Sequence, residues 1–218
     1  CIRDRGCMGQ IRWKVSDFTV KKEPRQARSK ASVQAMVQAC ARILERRGYA
    51  GLSTNAIAEV AGVSIGSVYE YFPGKDAIVA RLVQDMVAEA RTMLEGRLAL
   101  TDSRNDLSSA MRYFLGAIYR LMRKHRELLR VLVFQVPYLH QLPATRQLEI
   151  ELQQVLMAGL DYTREQYALN AQPHTLYLMT TSVAGTLMHL VLVAPPAMEP
   201  EGILDALAEK MTAWLVES

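Results

Sequence analysis

The sequence predicts an all-α protein of about nine helices. Apolar residues recur at helical spacing through most of the 218 residues, and glycine and proline mark the breaks between these periodic segments. One short apolar run, residues 128–136, is compatible with a helix or a strand. We interpret it as a helix, because the chain offers no second strand candidate to pair with it. The length suits one or two domains with a proper core.

Positive charge is concentrated at the N-terminus. Residues 1–30 hold nine lysines and arginines against three acidic residues, whereas the rest of the chain holds 17 against 19. A basic segment suits a nucleic-acid partner, because phosphate neutralisation dominates such affinity. Taken alone, a solvated tail without function is the more common explanation. Residues 1–28 show no convincing periodicity, so we expect a basic, mostly disordered arm, with a short extra helix or strand as the alternative.

The cysteines favour a reducing, cytoplasmic setting. Cys1, Cys7 and Cys40 lack the paired spacing of a disulfide framework, and the two in the arm have no partners at zinc-ligand spacing. Cys40 falls on an apolar helix face and is expected in the core. Residues 1–25 lack the continuous apolar segment of a secretory signal. We therefore expect a cytoplasmic protein with no metal site and no cofactor.

Residues 32–47 form the first predicted helix. From Val33 the apolar positions follow i, i+3, i+4, i+7 and i+11, and Gly48 ends the pattern after two arginines that suit a helix C-terminus. We expect this helix to brace the segment that follows it.

Residues 53–75 predict two short helices joined by a tight turn. Ser53 or Thr54 can cap the first helix, and Gly62 ends it because glycine adopts the left-handed conformation without a Cβ clash. Ser64 can cap the second helix. Two helices joined by a glycine-containing turn form a helix-turn-helix, whose second helix can enter the DNA major groove.

This stretch resembles the DNA-binding segment of the TetR/AcrR family of bacterial transcriptional regulators. The matching positions stand at fixed spacing: Thr54, Ile57, Ala58, Ala61, Gly62, Val63, Ser64, Gly66, Tyr69, Tyr71, Phe72 and Lys75. The resemblance implies a DNA-binding regulator rather than an enzyme. It also implies a helix-turn-helix domain at residues 29–75 and a helical ligand-binding and dimerisation domain at residues 76–218, preceded by the arm.

Candidate DNA contacts follow from the exposed face of the second helix and from the resemblance. An exposed isoleucine such as Ile65 suits a thymine methyl group, and a glycine such as Gly66 lets the backbone approach closely. The resemblance implies phosphate contacts at three positions, which would set register rather than sequence; Asn55 either reads an adenine or caps its helix. We predict these contacts: Thr54, Asn55, Ser64, Ile65, Gly66, Ser67, Tyr69, Tyr71 and Lys75, with Thr54, Tyr71 and Lys75 on phosphates. In the arm, the resemblance suggests Lys21, Lys22, Arg25 and Arg28.

Residues 62–66 also satisfy G-x-S-x-G, the nucleophile elbow of α/β-hydrolases. That motif requires a strand before the serine and a helix after it. Here a helix is predicted before Ser64, and no sheet is predicted anywhere in the chain. The four histidines have no recognisable acid partner, and no metalloprotease, P-loop or dinucleotide motif occurs. We therefore predict no catalytic residues.

A long amphipathic helix is predicted over residues 75–98, running from the helix-turn-helix into the rest of the chain. The resemblance implies that it acts as a lever. Further helices are predicted at 107–122, 128–136, 148–169, 173–194 and 201–216. The basic cluster at 120–126 is either a second nucleic-acid patch or, as we favour, a solvated helix end that complements the dipole.

Residues 174–194 are mostly apolar and about long enough to cross a bilayer, but threonines, a serine and a histidine interrupt them. We expect a wholly buried helix and no membrane contact. The resemblance implies a four-helix bundle with a second subunit, so residues 174–216 are the predicted homodimer surface. An intrachain core would look the same in sequence.

The resemblance also implies a pocket for a small ligand between the DNA-binding domain and the bundle. Methionine and aromatic residues in that layer suit an apolar ligand: Phe114, Tyr119, Met122, Phe134, Tyr138, His140, Met157 and Tyr177. Plain core packing explains each of them equally well, so we assign no ligand residue. The predicted function is a repressor, released from a pseudo-palindromic operator on double-stranded DNA by a small apolar ligand. The alternatives are an all-α lipid-binding or enzymatic module and a helical scaffold without a DNA role.

Overall fold

The structure, a computed structural model, describes residues 18–98, 107–148, 150–151, 154, 172–195 and 197–216. All regular secondary structure in these ranges is helical, which confirms the predicted fold class. The α-helices are α1 Ala27–Arg47, α2 Thr54–Ala61, α3 Ile65–Tyr71, α4 Lys75–Leu98, α5 Leu107–Lys124, α6 Arg126–Gln135, α7 Pro173–Leu192 and α8 Pro200–Val216. Two 3₁₀ turns occur at Tyr49–Gly51 and Leu139–Gln141.

A further helical segment begins after the second 3₁₀ turn. Residues 143–148, 150–151 and 154 are helical. The helix predicted at 148–169 therefore starts earlier than expected, and most of it lies outside the described residues. The ambiguous run at 128–136 is helical, as α6.

The described side chains form two hydrophobic cores. The first core joins α1, α2, α3, the N-terminal half of α4, α6 and the loop after α6. The second core joins α5, α7 and α8. We call α1, α2 and α3 the head. The predicted domain boundary after residue 75 does not coincide with the division between the cores, because α6 packs in the same core as the head.

Part of the N-terminal arm packs on the head. The Phe18 ring lies 5.0 Å from the Tyr138 ring between centroids, and the Lys21 N–H donates to the Tyr71 carbonyl at 2.8 Å. The expectation of disorder is therefore wrong for residues 18–26, and α1 begins at Ala27 rather than at residue 32. Contacts of this kind, between an aromatic ring and a distant side chain or between backbone groups far apart in the chain, leave no periodic pattern in the sequence. Residues 1–17 lie outside the described residues.

α4 has the predicted bounds and links the two parts of the molecule. Its first turns are buried in the first core through Ala77, Ile78, Val79, Ala80, Leu82 and Val83. Residues on all sides of this segment are covered, because it passes through the core rather than along its surface. The N-terminal half of α4 is thereby held to the head and to α6 together.

α7 buries only one of its faces within the chain. Met179, Leu187 and Leu190 pack in the second core, whereas Tyr177 and Leu178 are 58% and 50% exposed. The expectation of a wholly buried helix is therefore wrong for the single chain. Among the described residues, α7 is the one helix whose length and apolar composition would allow it to cross a membrane. Its buried face packs against α5 and α8 in the second core.

Candidate nucleic-acid interface

The local interactions predicted for the helix-turn-helix are present. Ser53 is the N-cap of α2, and its hydroxyl accepts from the Ala56 N–H at 3.1 Å. Gly62 ends α2 in the left-handed conformation, with φ 67° and ψ 33°. Ser64 caps α3, and its hydroxyl accepts from the Ser67 N–H at 3.1 Å. These short-range bonds set where each helix begins and ends.

α3 is supported on one face and open on the other. Val68 and Phe72 are fully buried in the first core, so the helix cannot roll without losing that packing. Ile65 and Tyr69 are 39% and 47% exposed on the opposite side, and Gly66 is exposed beside them. Three of the predicted base-facing residues therefore lie together on one solvent-facing surface, which we call the α3 outer face.

Gly66 lies at an unobstructed point of the α3 outer face. A Cβ atom at this position would meet only the Ser64 hydroxyl oxygen, at 3.7 Å, an ordinary van der Waals distance. No contact within the described chain therefore requires a glycine here. The absent side chain leaves room for a molecule outside the chain.

The polar groups around this face bridge the two helices. The Thr54 hydroxyl on α2 lies 3.2 Å from the Tyr69 hydroxyl on α3, within hydrogen-bond distance. Asn55 is exposed at the start of α2. Ser67 is half-buried, and its hydroxyl lies 2.8 Å from that of Ser64. The Ser64 hydroxyl thus bonds to the Ser67 hydroxyl as well as to the Ser67 backbone N–H.

Two predicted phosphate contacts serve the head instead of standing free at its surface. Tyr71 is only 7% exposed, and its ring is part of the first core. The Lys75 ammonium donates to the Leu52 carbonyl at 3.1 Å and lies 4.3 Å from the centroid of the Tyr49 ring. Lys75 thus holds the start of α4 against the turn that precedes α2, and Tyr71 completes the first core. The sequence motif does not reveal either role.

Two of the four arm residues suggested by the resemblance, Lys21 and Lys22, lie beside α3. The Lys21 ammonium donates to the Tyr69 carbonyl at 3.2 Å, and that of Lys22 pairs with Glu70 at 2.8 Å. The hydrogen bond to Glu70 raises the pKa of Lys22 above its ordinary value. Charge counting finds such basic residues, but only the docking of the arm places them at the C-terminal end of α3.

Asp76, in the first turn of α4, accepts hydrogen bonds from two tyrosines. Its Oδ1 atom accepts from the hydroxyls of Tyr49 and Tyr138, each at 2.7 Å. Burial raises the pKa of Tyr49 to about 12. Burial, helped by the hydrogen bond to Asp76, also raises the pKa of Tyr138 above its ordinary value. Both hydroxyls are therefore protonated donors at neutral pH.

The predicted core cysteine is buried beside this cluster. Cys40 is fully covered, and burial raises the pKa of its thiol to about 12. Because the thiolate is the reactive form, this thiol is inert at neutral pH in the folded protein. Among the described residues, no group of three or more histidines, cysteines and carboxylates is placed to hold a metal ion.

The residues of the predicted ligand layer do not converge on one cavity among the described residues. Phe134 and Tyr177 are exposed, whereas Tyr138 is buried in the first core and Tyr119 packs against the second. Met157 lies outside the described residues. A groove of about 590 Å³ runs instead between α1 and α4 near the start of α6. It has an apolar floor and a charged rim that includes Arg42, Glu45, Asp85, Glu89 and His125.

The G-x-S-x-G segment does not form a nucleophile elbow. A helix precedes Ser64 where that motif requires a strand, and the Ser64 hydroxyl is occupied in capping α3. A helix-turn-helix with an open recognition face, joined by one long helix to a helical body, defines the class of DNA-binding transcriptional regulators.

Comparison with known proteins finds a family match for the helix-turn-helix segment. Residues 37–82 match the family model described as bacterial regulatory proteins, tetR family. The matched residues run from within α1 to within α4 and so include α2 and α3. No curated protein sequence matches the chain.

Solved structures share the fold over most of the chain. A TetR-family regulator candidate from Mesorhizobium loti MAFF303099 is 16% identical, with 88% of this chain and 100% of that chain covered and a TM-score of 0.69. A TetR-family regulator from Marinobacter aquaeolei VT8 is 16% identical over 88% and 98%, with a TM-score of 0.63. The regulator FadR from Bacillus subtilis, solved with stearoyl-CoA, is 15% identical over 83% and 98%, with a TM-score of 0.63.

Proposed function

We propose that the protein is a dimeric repressor whose two heads bind the halves of a pseudo-palindromic operator and which a small apolar ligand releases from DNA. The observation that carries this proposal is the α3 outer face, the exposed side of a helix whose other side is fixed in the first core by Val68 and Phe72. The match of residues 37–82 to the tetR family model supports DNA as the partner of this face. We place this repressor in the cytoplasm, where bacterial DNA lies.

The α3 outer face suits the floor of a major groove. Ile65 offers an apolar contact for a thymine methyl group, and the open space at Gly66 allows the backbone to approach the base edges. Thr54 and Tyr69 offer hydroxyls at the rim, while Lys21 adds a positive charge close by. In this proposal the base-facing residues supply sequence preference, and the rim residues set the register of the head on the duplex.

The partner in the dimer is a second copy of the chain, bound through the exposed face of α7. Tyr177, Leu178, Thr181, Ala184 and Gly185 recur along this face at helical spacing, and all five are exposed in the single chain. A Cβ atom at Gly185 would meet no atom within 4 Å, so a partner helix has room to approach. An apolar face of this extent on a helix otherwise packed in a core is typical of an interaction surface.

The ligand is proposed as an apolar molecule, with fatty acyl thioesters as the first probes. The support is indirect: the FadR structure of similar fold was solved with stearoyl-CoA. To release the protein from DNA, such a ligand must bind more tightly to a conformation that does not bind the operator. Coenzyme A without an acyl chain is the matched negative control.

The proposal is tested by selecting bound duplexes from random DNA with the full-length protein. We expect one pseudo-palindromic sequence to be enriched, with an affinity that falls steeply as salt rises. Ile65→Ala should weaken the preference at particular positions, whereas Ile150→Ala, an exposed isoleucine outside the head, should leave it unchanged. If no sequence is enriched and retention on duplex DNA is independent of salt, the regulator proposal is wrong and a lipid-binding or enzymatic module becomes the better explanation.

The ligand part is tested separately with the selected operator. Stearoyl-CoA and shorter acyl-CoAs should lower operator affinity, and free coenzyme A should not. If none of the acyl compounds changes the affinity, this ligand class is wrong, while the DNA-binding proposal is unaffected.

A further inference from the structure

α6 packs as part of the head although it follows α3 by more than fifty residues in sequence. Its buried residues Leu128, Val131 and Leu132 belong to the same core as Ile57 and Phe72 of the helix-turn-helix. When α6 shifts, the head is therefore expected to move with it. Cores of native density do not absorb such shifts without rearrangement.

The C-terminal end of α6 is bonded to the head. The Gln135 side-chain oxygen accepts from the Tyr49 N–H at 3.0 Å. Three residues further on, Tyr138 donates to Asp76 Oδ1, the same oxygen that accepts from Tyr49. Asp76 lies in the first turn of α4, where the free N–H groups of the helix favour a negative charge. A single carboxylate oxygen thus joins the head, α4 and the loop after α6.

The N-terminal end of α6 is bonded to the helix proposed as the dimer surface. Arg126, the first residue of α6, donates from Nε to the Val191 carbonyl at 2.8 Å, in the last turn of α7. The preceding Lys124 and His125 reach Glu89 on α4 at 2.7 and 3.1 Å. The basic cluster expected to be a solvated helix end therefore supplies contacts between helices.

We propose that Asp76 and Tyr138 are positioning residues for DNA binding, which fix the head to α6 and, through Arg126, to the dimer helix α7. This inference rests on the proposed function. In a dimer the two heads bind one operator at once, so the second head binds as a tethered partner at high effective concentration. That gain exists only while the heads are held at the spacing of the two half-sites. The path from α7 through α6 to the first turn of α4 provides this restraint.

The test compares a duplex carrying the full selected operator with one carrying a single half-site. Tyr138→Phe removes one hydroxyl and keeps the buried ring; Asp76→Asn weakens the shared acceptor; Arg126→Gln releases the other end of α6. Each should lower full-site affinity at least about fivefold, the lower end of typical coupling between sites, while half-site affinity is unchanged. Tyr119→Phe, in the second core, and Arg130→Gln, an exposed α6 arginine paired with Glu127, are the matched controls and should change neither.

A purely structural role predicts a different result. If Tyr138→Phe lowers full-site and half-site affinity by the same factor, or lowers neither, the positioning role is overturned. Thermal unfolding identifies variants that are not folded at the assay temperature. Should Tyr138→Phe fail to fold, Gln135→Ala replaces it, since this exposed side chain removes the bond to Tyr49 without disturbing the core.

Failure of the proposed function is distinguishable from failure of this inference. If the random-DNA selection yields no site, amide hydrogen exchange without DNA still tests the link. Arg126→Gln should then raise exchange in residues 53–75, at the opposite end of α6, relative to Arg130→Gln. Unchanged exchange in residues 53–75 would show that α6 transmits nothing to the head.

Discussion

Replacing Gly66 with alanine is expected to stabilise the folded protein while weakening its binding to DNA. Gly66 lies in the first turn of α3 and is not among the glycines with positive φ, so alanine can adopt its backbone conformation. The added methyl group would meet only the Ser64 hydroxyl, at 3.7 Å. Alanine restricts the unfolded chain more than glycine does, which gives a gain of about 0.5–1 kcal/mol in the free energy of unfolding. For a chain of this size that raises the unfolding temperature by roughly 1–4 °C.

The effect on DNA binding has the opposite sign. A methyl group on the α3 outer face would hold the helix away from the base edges, with a loss of roughly 1–3 kcal/mol, the cost of a disrupted base contact. Circular dichroism gives the unfolding temperature, and fluorescence anisotropy with the selected operator gives the affinity. Gly202→Ala is the control, because this exposed glycine in the first turn of α8 also has open space and is remote in sequence from the head. Unchanged operator affinity in Gly66→Ala would refute close approach of α3 to DNA, and a lower unfolding temperature would refute the claim that its backbone is unstrained.

Three further predictions concern the head, the tyrosine pair and the dimer. Lys75→Ala should reduce the free energy of unfolding, measured by urea denaturation, by about 1–2 kcal/mol, because the bond from the ammonium to the Leu52 carbonyl and its contact with the Tyr49 ring are lost. The variant should also bind all DNA sequences more weakly, to the same degree. An unchanged free energy of unfolding would contradict the bond to Leu52. Folding raises the pKa values of Tyr49 and Tyr138 above their ordinary value of 10.0. The contribution of these shifts to stability is therefore complete below pH 10.0. It is lost as the pH rises toward about 12, the pKa of Tyr49 in the folded protein. Between pH 10 and 12 the unfolding temperature should fall less steeply in Tyr138→Phe than in the unchanged protein. Identical pH profiles would disprove the contribution of the Tyr138 hydroxyl. Ala184→Glu on the exposed face of α7 should give monomers in sedimentation experiments, whereas Ala31→Glu, exposed on α1, should remain dimeric; a dimeric Ala184→Glu variant would exclude this face.

Much of the candidate site is predictable because its signals are local. The cap at Ser64, the left-handed Gly62 and the buried pair Val68 and Phe72 all arise within one short segment. A cap needs an acceptor three residues from its donor, and a helix face needs apolar residues three or four apart. These spacings are visible in the sequence itself. Ile65 and Gly66 lie on the side of α3 opposite the buried pair, so the same spacing predicts that they are exposed.

The intrachain roles of two predicted site residues depend on distant partners. Tyr71 and Lys75 match motif positions associated with phosphates, yet one is buried in the first core and the other bonds to Leu52. Nothing within their own helices distinguishes a tyrosine that faces solvent from one that completes a core. The arm was expected to be disordered for the same reason, because Phe18 packs against Tyr138, which is distant in the sequence.

The sequence by itself determined the all-α class, the helix-turn-helix and the long α4, because periodicity, caps and glycine turns are patterns that extend over only a few residues. Only the tertiary structure decided that α6 shares the core of the head and that Asp76 accepts from both Tyr49 and Tyr138. Those contacts join residues that are far apart along the chain. Each depends on how whole helices pack against one another, and the local type and spacing of residues do not reveal that packing.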